Sequence, residues 1–168
     1  MGKLPRALLA IAVVLLVASV PPAAAGPRVE QTEELLVLRV TGSLEDVLGA
    51  LKTAVERRNY VLSPINDLDD ALRRRAQDVG QFFGFAHYKI LSFCNLTFAD
   101  EALRVVPHLG ALMPCRAAVY ALKGSREVVI VTVRPSFLAK VFRSPELGPL
   151  AARVEADVLA IFEMIAGD

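Results

Sequence analysis

The sequence is short of most features that announce a function. Its 168 residues hold no tryptophan and only two cysteines, and 19 basic side chains against 18 acidic ones leave a formal net charge of +1. So even a balance argues against a polybasic nucleic-acid binder, and 54% hydrophobic residues argue against a disordered chain. There is no C-x-x-C and no C-x-x-C-H, which removes the dithiol redox motif and covalent c-type haem, although noncovalent haem stays open. G-x-G-x-x-G, G-x-x-x-x-G-K, G-x-S-x-G and H-E-x-x-H are missing too, so nucleotide, hydrolase and zincin readings have no anchor. No repeat, low-complexity tract or long linker divides the chain.

What is present begins with an export signal. Lys3 and Arg6 precede an apolar run from Ala7 to Val20, followed by Pro21, Pro22 and the small residues Ala23 to Ala25. That order is the pattern of a secretory signal peptide over residues 1–25, with cleavage expected near Ala25. The run is shorter than the roughly 20 residues a helix needs to cross a bilayer, so a cleaved leader is expected rather than an anchor. With Lys3 and Arg6 gone, 17 basic residues face 18 acidic ones. The expected product is periplasmic or secreted, with no nucleic-acid partner and no membrane association after cleavage. The whole-chain mean hydropathy of +0.46 is inflated by the leader.

Residues 26–42 read as a polar lead-in followed by a first strand, Leu35 to Thr41, stopped by Gly42. Ser43 stands three residues before Asp46, and Leu44, Val47, Leu48, Leu51 and Val55 recur at helical intervals, which predicts a capped amphipathic helix ending near Arg58. A short strand is expected over Tyr60–Leu62. A second helix capped by Asp67 or Asp69 should carry Leu68, Leu72, Ala76 and Val79 inward and stop at Gly80, with its Asp and Arg73–Arg75 charges on solvated surface. Phe82, Phe83 and Phe85 then fall in a loop that either plugs one end of the core or roofs a ligand pocket.

A third strand is expected over Tyr88–Cys94, a third helix over Asp100–Val106 with Asp100 as cap, and a hairpin of Cys115–Leu122 with Glu127–Arg134 across Lys123–Arg126. A short helix over Ser136–Phe142 and a last helix led by Ser144 and Pro145 complete the reading. The last helix bears one stripe, Leu147, Leu150, Val154, Val158, Ile161 and Ile165, which suits core packing or, alternatively, a dimer seam.

The only chemical constellation is Cys94 with Cys115. Both fall at strand ends, and their ends can meet if the two strands are neighbours. In an exported protein an even cysteine count suggests a structural disulfide, worth about 3 kcal/mol through the unfolded state. Inert buried thiols, a working thiol and a metal site are the alternatives. A working thiol needs its thiolate stabilised, which Arg116 or the N-terminus of the helix after Cys94 could do. His87 is a poor partner for Cys94, because seven positions along a strand put the two on opposite faces. Cys94, Cys115, His108 and Met113 together would make a soft ligand set suited to Cu(I). Asn95-Leu96-Thr97 is a glycosylation sequon, a pattern common by chance.

The segments Tyr88-Lys89-Ile90-Leu91-Ser92-Phe93-Cys94-Asn95-Leu96 and Met113-Pro114-Cys115-Arg116 resemble the exported, cysteine-bearing branch of the bacterial family called domain of unknown function 302. The resemblance runs over about Ser43 to Ile165. It implies one small α+β domain (residues 43–168 completing it), with helices packed on a curved, mostly antiparallel, TBP-like sheet, and a possible homodimer. It implies no established activity or cofactor. It also implies that Cys94 and Cys115 belong to the exported branch rather than to the fold as such, since many relatives without a leader lack the pair; Asn95, Arg116, His108 and Met113 are the neighbouring site candidates. The expected function is therefore an exported, non-enzymatic domain binding a small ligand or protein partner. Its rivals are a thiol-dependent redox or sulfur-handling protein and a soft-metal or noncovalent haem binder.

Overall fold

The computed structural model describes residues 29–79 and 84–167, the side chains of residues 77 and 79 aside. The leader therefore lies outside the described residues, as do Gly80, Phe82 and Phe83. In chain order the elements are β1 (Val29–Gln31), β2 (Leu35–Thr41), α1 (Leu44–Arg57), β3 (Val61–Leu62), β4 (Asn66–Asp67), α2 (Leu68–Arg74), α3 (Ala76–Val79), β5 (Phe85–Cys94), α4 (Leu96–Val105), a 3₁₀ segment (Pro107–Leu112), β6 (Cys115–Leu122), β7 (Glu127–Val133), α5 (Pro135–Val141) and α6 (Leu147–Gly167). The strands form one open antiparallel sheet in the order β1-β2-β7-β6-β5-β3, with β4 also pairing with β5. Helices on one sheet with a single main core make this a small α+β domain.

Alternation along the strands decides which face is filled. Leu36 and Leu38 of β2, Leu91 and Phe93 of β5, Ala117 and Val119 of β6, and Val128 and Ile130 of β7 all point to one face and are buried. Onto that face α1 brings Val47, Leu51 and Val55, and α6 brings Val158, Ile161, Phe162 and Ile165. The α6 stripe is therefore core, and Val154 alone in it is only half-buried. On the reverse face Tyr88 and Tyr120 stack at 5.5 Å, with Phe85 edge-on to both.

Local chemistry explains the boundaries. Ser43 accepts the Asp46 amide at 3.1 Å and starts α1. The hairpin of β6 and β7 turns through Gly124, whose φ of +77° suits a residue without a Cβ.

Several expectations need correction. The lead-in is not loose throughout, because Val29–Gln31 pairs with Leu36–Leu38; Thr32 Oγ1 accepts the amides of Glu34 and Leu35 and turns the chain. Phe85 belongs to β5, which starts three residues before the expected strand and pairs with Leu122. The second helix breaks at Arg75 into α2 and α3. Asp69 is not on solvated surface either: it is 1% exposed, lying 3.0 Å from Arg73 and 3.1 Å from Lys89. Ala76 is exposed rather than inward. The third helix starts at Leu96, not Asp100, because Asn95 Oδ1 accepts the Thr97 and Phe98 amides at 3.1 and 3.3 Å. The last helix begins at Leu147, two residues later than Ser144 and Pro145 suggest.

Candidate functional site

The C-terminal ends of β5 and β7 and the start of β6 lie together at one end of the sheet, because the three strands are antiparallel neighbours. Each connects there to a covering element: β5 runs into α4, β7 into α5, and the 3₁₀ segment leads into β6. A second, smaller apolar cluster forms at this end from Ala102 of α4, Ala139 of α5, and Leu147, Leu150 and Ala151 of α6. Three of its five buried members are alanines. Small side chains on facing helices leave space, and the space is a pocket of about 650 Å³, its open mouth included.

Its walls are almost wholly hydrocarbon. Phe98, Ala99 and Ala102 line it from α4, Leu109 and Leu112 from the 3₁₀ segment, Leu138 and Ala139 from α5, and Leu147, Leu150, Ala151 and Val154 from α6. Arg153 of α6 lies 5.1 Å from the Phe98 ring centre and pairs with Glu101, fastening α4 to α6. At the sheet end the lining is Tyr60, Cys94, Asn95, Met113 and Cys115. Tyr60 is buried, and its hydroxyl lies 3.3 Å from Asp157. Burial first, and then the Asp157 charge, push its ionisation far above the ordinary range.

Both cysteines are free thiols and half-buried. Cys115 pairs in register with Phe93, the residue before Cys94, which by ordinary strand spacing puts the two cysteine Cα atoms about 6 Å apart. The Cys94 thiol faces the Asn95 carbonyl at 3.8 Å. Burial pushes the Cys115 thiol up to about 11, with the neighbouring Cys94 adding to the rise, and burial raises Cys94 as well.

The structure thus brings Cys94, Cys115, Asn95 and Met113 to one pocket and leaves two expected neighbours out of it. His108 is exposed on the 3₁₀ segment and is not part of the lining. Arg116 is exposed and pairs in register with Ser92, one residue out of phase with Cys115, so alternation turns it to the reverse face. Asn95 spends its side-chain oxygen on the cap of α4. The β6 strand begins at Cys115, so Met113 reaches the pocket from the segment before the strand rather than along a strand face. Among the described residues no group of three or more His, Cys, Asp and Glu side chains gathers in a way that could hold a metal, and no helix is long and apolar enough to cross a membrane.

The pocket walls themselves escaped the sequence reading. Leu147 and Leu150 stood in the α6 stripe as core, and the alanines of α4, α5 and α6 carried no signal until three helices faced one another.

The model of the family described as domain of unknown function DUF302 matches residues 36–165. The chain belongs to that family. It is 28% identical over 129 residues to an uncharacterised protein of Aquifex aeolicus (strain VF5), covering 73% of this chain and 77% of that protein. A crystal structure of an uncharacterised conserved DUF302 protein from Bacillus stearothermophilus superimposes with a TM-score of 0.68 at 21% identity, covering 77% of this chain and 96% of the other. The likeness bears on the fold, and it agrees with helices packed on an open, mostly antiparallel sheet.

Proposed function

We propose that this DUF302 protein is exported and binds a small, largely apolar molecule in the pocket at the end of its sheet, with Cys94 and Cys115 in the wall. The observation that carries the reading is the lining: an open cavity walled by Leu, Ala, Val and Phe side chains, with polar groups confined to one end. The leader over residues 1–25 supports export.

The redox rival is less well supported. A working thiol needs a cation or helix terminus that lowers its pKa, whereas burial raises both thiols here, Asn95 takes the Thr97 and Phe98 amides that open α4 while the Cys94 thiol faces the Asn95 carbonyl, and Arg116 faces away.

Two measurements test the proposal. The intact mass of the chain recovered from the exporting host should correspond to cleavage near Ala25; a retained leader would end the export reading. Anilinonaphthalene sulfonate should fluoresce on the wild type and lose at least about tenfold in affinity on Ala102→Trp, which fills the pocket from α4, with thermal stability retained. Equal dye binding to the wild type and to a folded Ala102→Trp protein would place the dye elsewhere and overturn the ligand reading.

A further inference from the structure

The pocket's sheet end concentrates sulfur. Both cysteines of the chain and one of its three methionines, Met113, line the same cavity. Cys115 pairs in register with Phe93, the residue directly before Cys94, and Met113 stands two residues before Cys115. No carboxylate or imidazole belongs to the lining, so hard cations have no ligands there. A structural zinc site asks for four nitrogen, sulfur or carboxylate ligands, and three sulfurs fall short of it. Two thiolates and a thioether are a set that Cu(I) accepts. The surrounding Leu, Ala and Phe side chains give the three sulfurs an apolar shell, and a shell of that kind tunes a metal site.

We infer that Cys94, Cys115 and Met113 form a binding site for a monovalent soft metal ion, Cu(I), at the sheet end of the pocket. The inference rests on the pocket proposed above but not on what fills the rest of it. Binding would be an exchange without redox change: Cu(I) gains two thiolate bonds and the thiols release two protons to solvent. His108, exposed and outside the lining, should take no part.

The test is anaerobic titration of the fully reduced chain with Cu(I) held in competition by bicinchoninate. One Cu(I) per chain is expected, with ultraviolet thiolate-to-copper absorption. Cys94→Ser and Cys115→Ser should each lower the affinity by at least about a hundredfold, Met113→Leu by about tenfold, and His108→Ala not at all. Anilinonaphthalene sulfonate binding is followed on the same samples. Dye binding and a cooperative thermal unfolding transition, both kept while Cu(I) affinity collapses in the serine variants, support the metal site and show that the variants fold. A wild type that binds dye but no Cu(I), or serine variants that bind Cu(I) as the wild type does, would overturn the metal site and leave the ligand pocket standing.

Discussion

The molecule contains two apolar regions made of much the same residue types and packed to different ends. Under α1 and α6 the main core is filled by large side chains, Phe93, Phe162, Leu36, Leu38, Leu51, Leu91 and Ile161 among them, each at most 2% exposed. At the end of the sheet the second cluster leans on Ala102, Ala139 and Ala151 with Leu147 and Leu150, at 3–9% exposure, and a cavity remains between them. Burial alone therefore does not distinguish a core from a binding site. What separates them is whether facing positions add up to the available volume, as close packing requires. The filled region holds the sheet and the long helix together. The underfilled region brings both cysteines to the wall of an open cavity.

The contrast can be broken by mutation. The largest effect is expected from Phe162→Ala, which should cost about 3–5 kcal/mol in urea unfolding, whereas Leu150→Ala, beside space that is already empty, should cost about 2 kcal/mol. Equal losses at the two sites would mean that the second region is packed as tightly as the first.

Next comes Glu155, which is 8% exposed and ties α6 to the junction of β7 and α5. It accepts Arg134 Nε at 3.1 Å and the Ser136 amide at 3.0 Å, besides a bond from the Ser136 hydroxyl. Burial works to raise its pKa, but the hydrogen bonds from Arg134 and Ser136 prevail and hold it below the ordinary value of 4.5. A depressed carboxylate stabilises the fold above its unfolded pKa and loses that contribution as pH falls through the folded value. Unfolding followed from pH 6 downward should therefore show stability lost below about 4.5, and Glu155→Gln should flatten that slope while costing about 1.5–3 kcal/mol at neutral pH. At the other end of the scale Cys115 stays protonated to about 11 against an ordinary 9.0, so stability should fall as pH rises across that window and should do so less in Cys115→Ala.

Overpacking sharpens the same contrast. Ala117→Leu in the main core should cost about 1–3 kcal/mol, because its neighbours cannot give way, while Ala102→Leu, growing into the pocket, should stay within about 0.5 kcal/mol of the wild type. If both are equally damaging, the pocket is too rigid to accept a side chain, let alone a ligand. The smallest effect sets the baseline: Gly49 is exposed on α1 with open space where its Cβ would stand. Gly49→Ala should raise stability by about 0.5–1 kcal/mol in the same assay, and if it does not, the scale of the other shifts is in doubt.

Much of this architecture is written in local pattern. The β6 and β7 hairpin, α1 with its Ser43 cap and the stripe of α6 follow from alternation, 3.6-residue periodicity and cap chemistry, all of which act over a few neighbouring residues. Where two local signals competed, the tertiary surroundings chose: Asn95 rather than Asp100 begins α4, because β5 runs on to Cys94 and the cap must come directly after it. Asp69, which looked like one more surface charge on α2, is buried because Lys89 of β5 and Arg73 compensate it there. That partnership crosses from helix to sheet, so no window along the chain reveals it.

The candidate site divides in the same way. The sequence by itself determined that two cysteines would stand at strand ends, that Met113 and Asn95 would be near them along the chain, and that the family is DUF302. Only the tertiary structure decided that Cys94, Cys115 and Met113 share one cavity while His108 and Arg116 are turned away, and that alanines from three helices leave that cavity open. The physical reason is range. Propensity, alternation and capping are summed over nearest neighbours, whereas an empty volume and the direction of a side chain are set by elements that meet only after the sheet has closed its register.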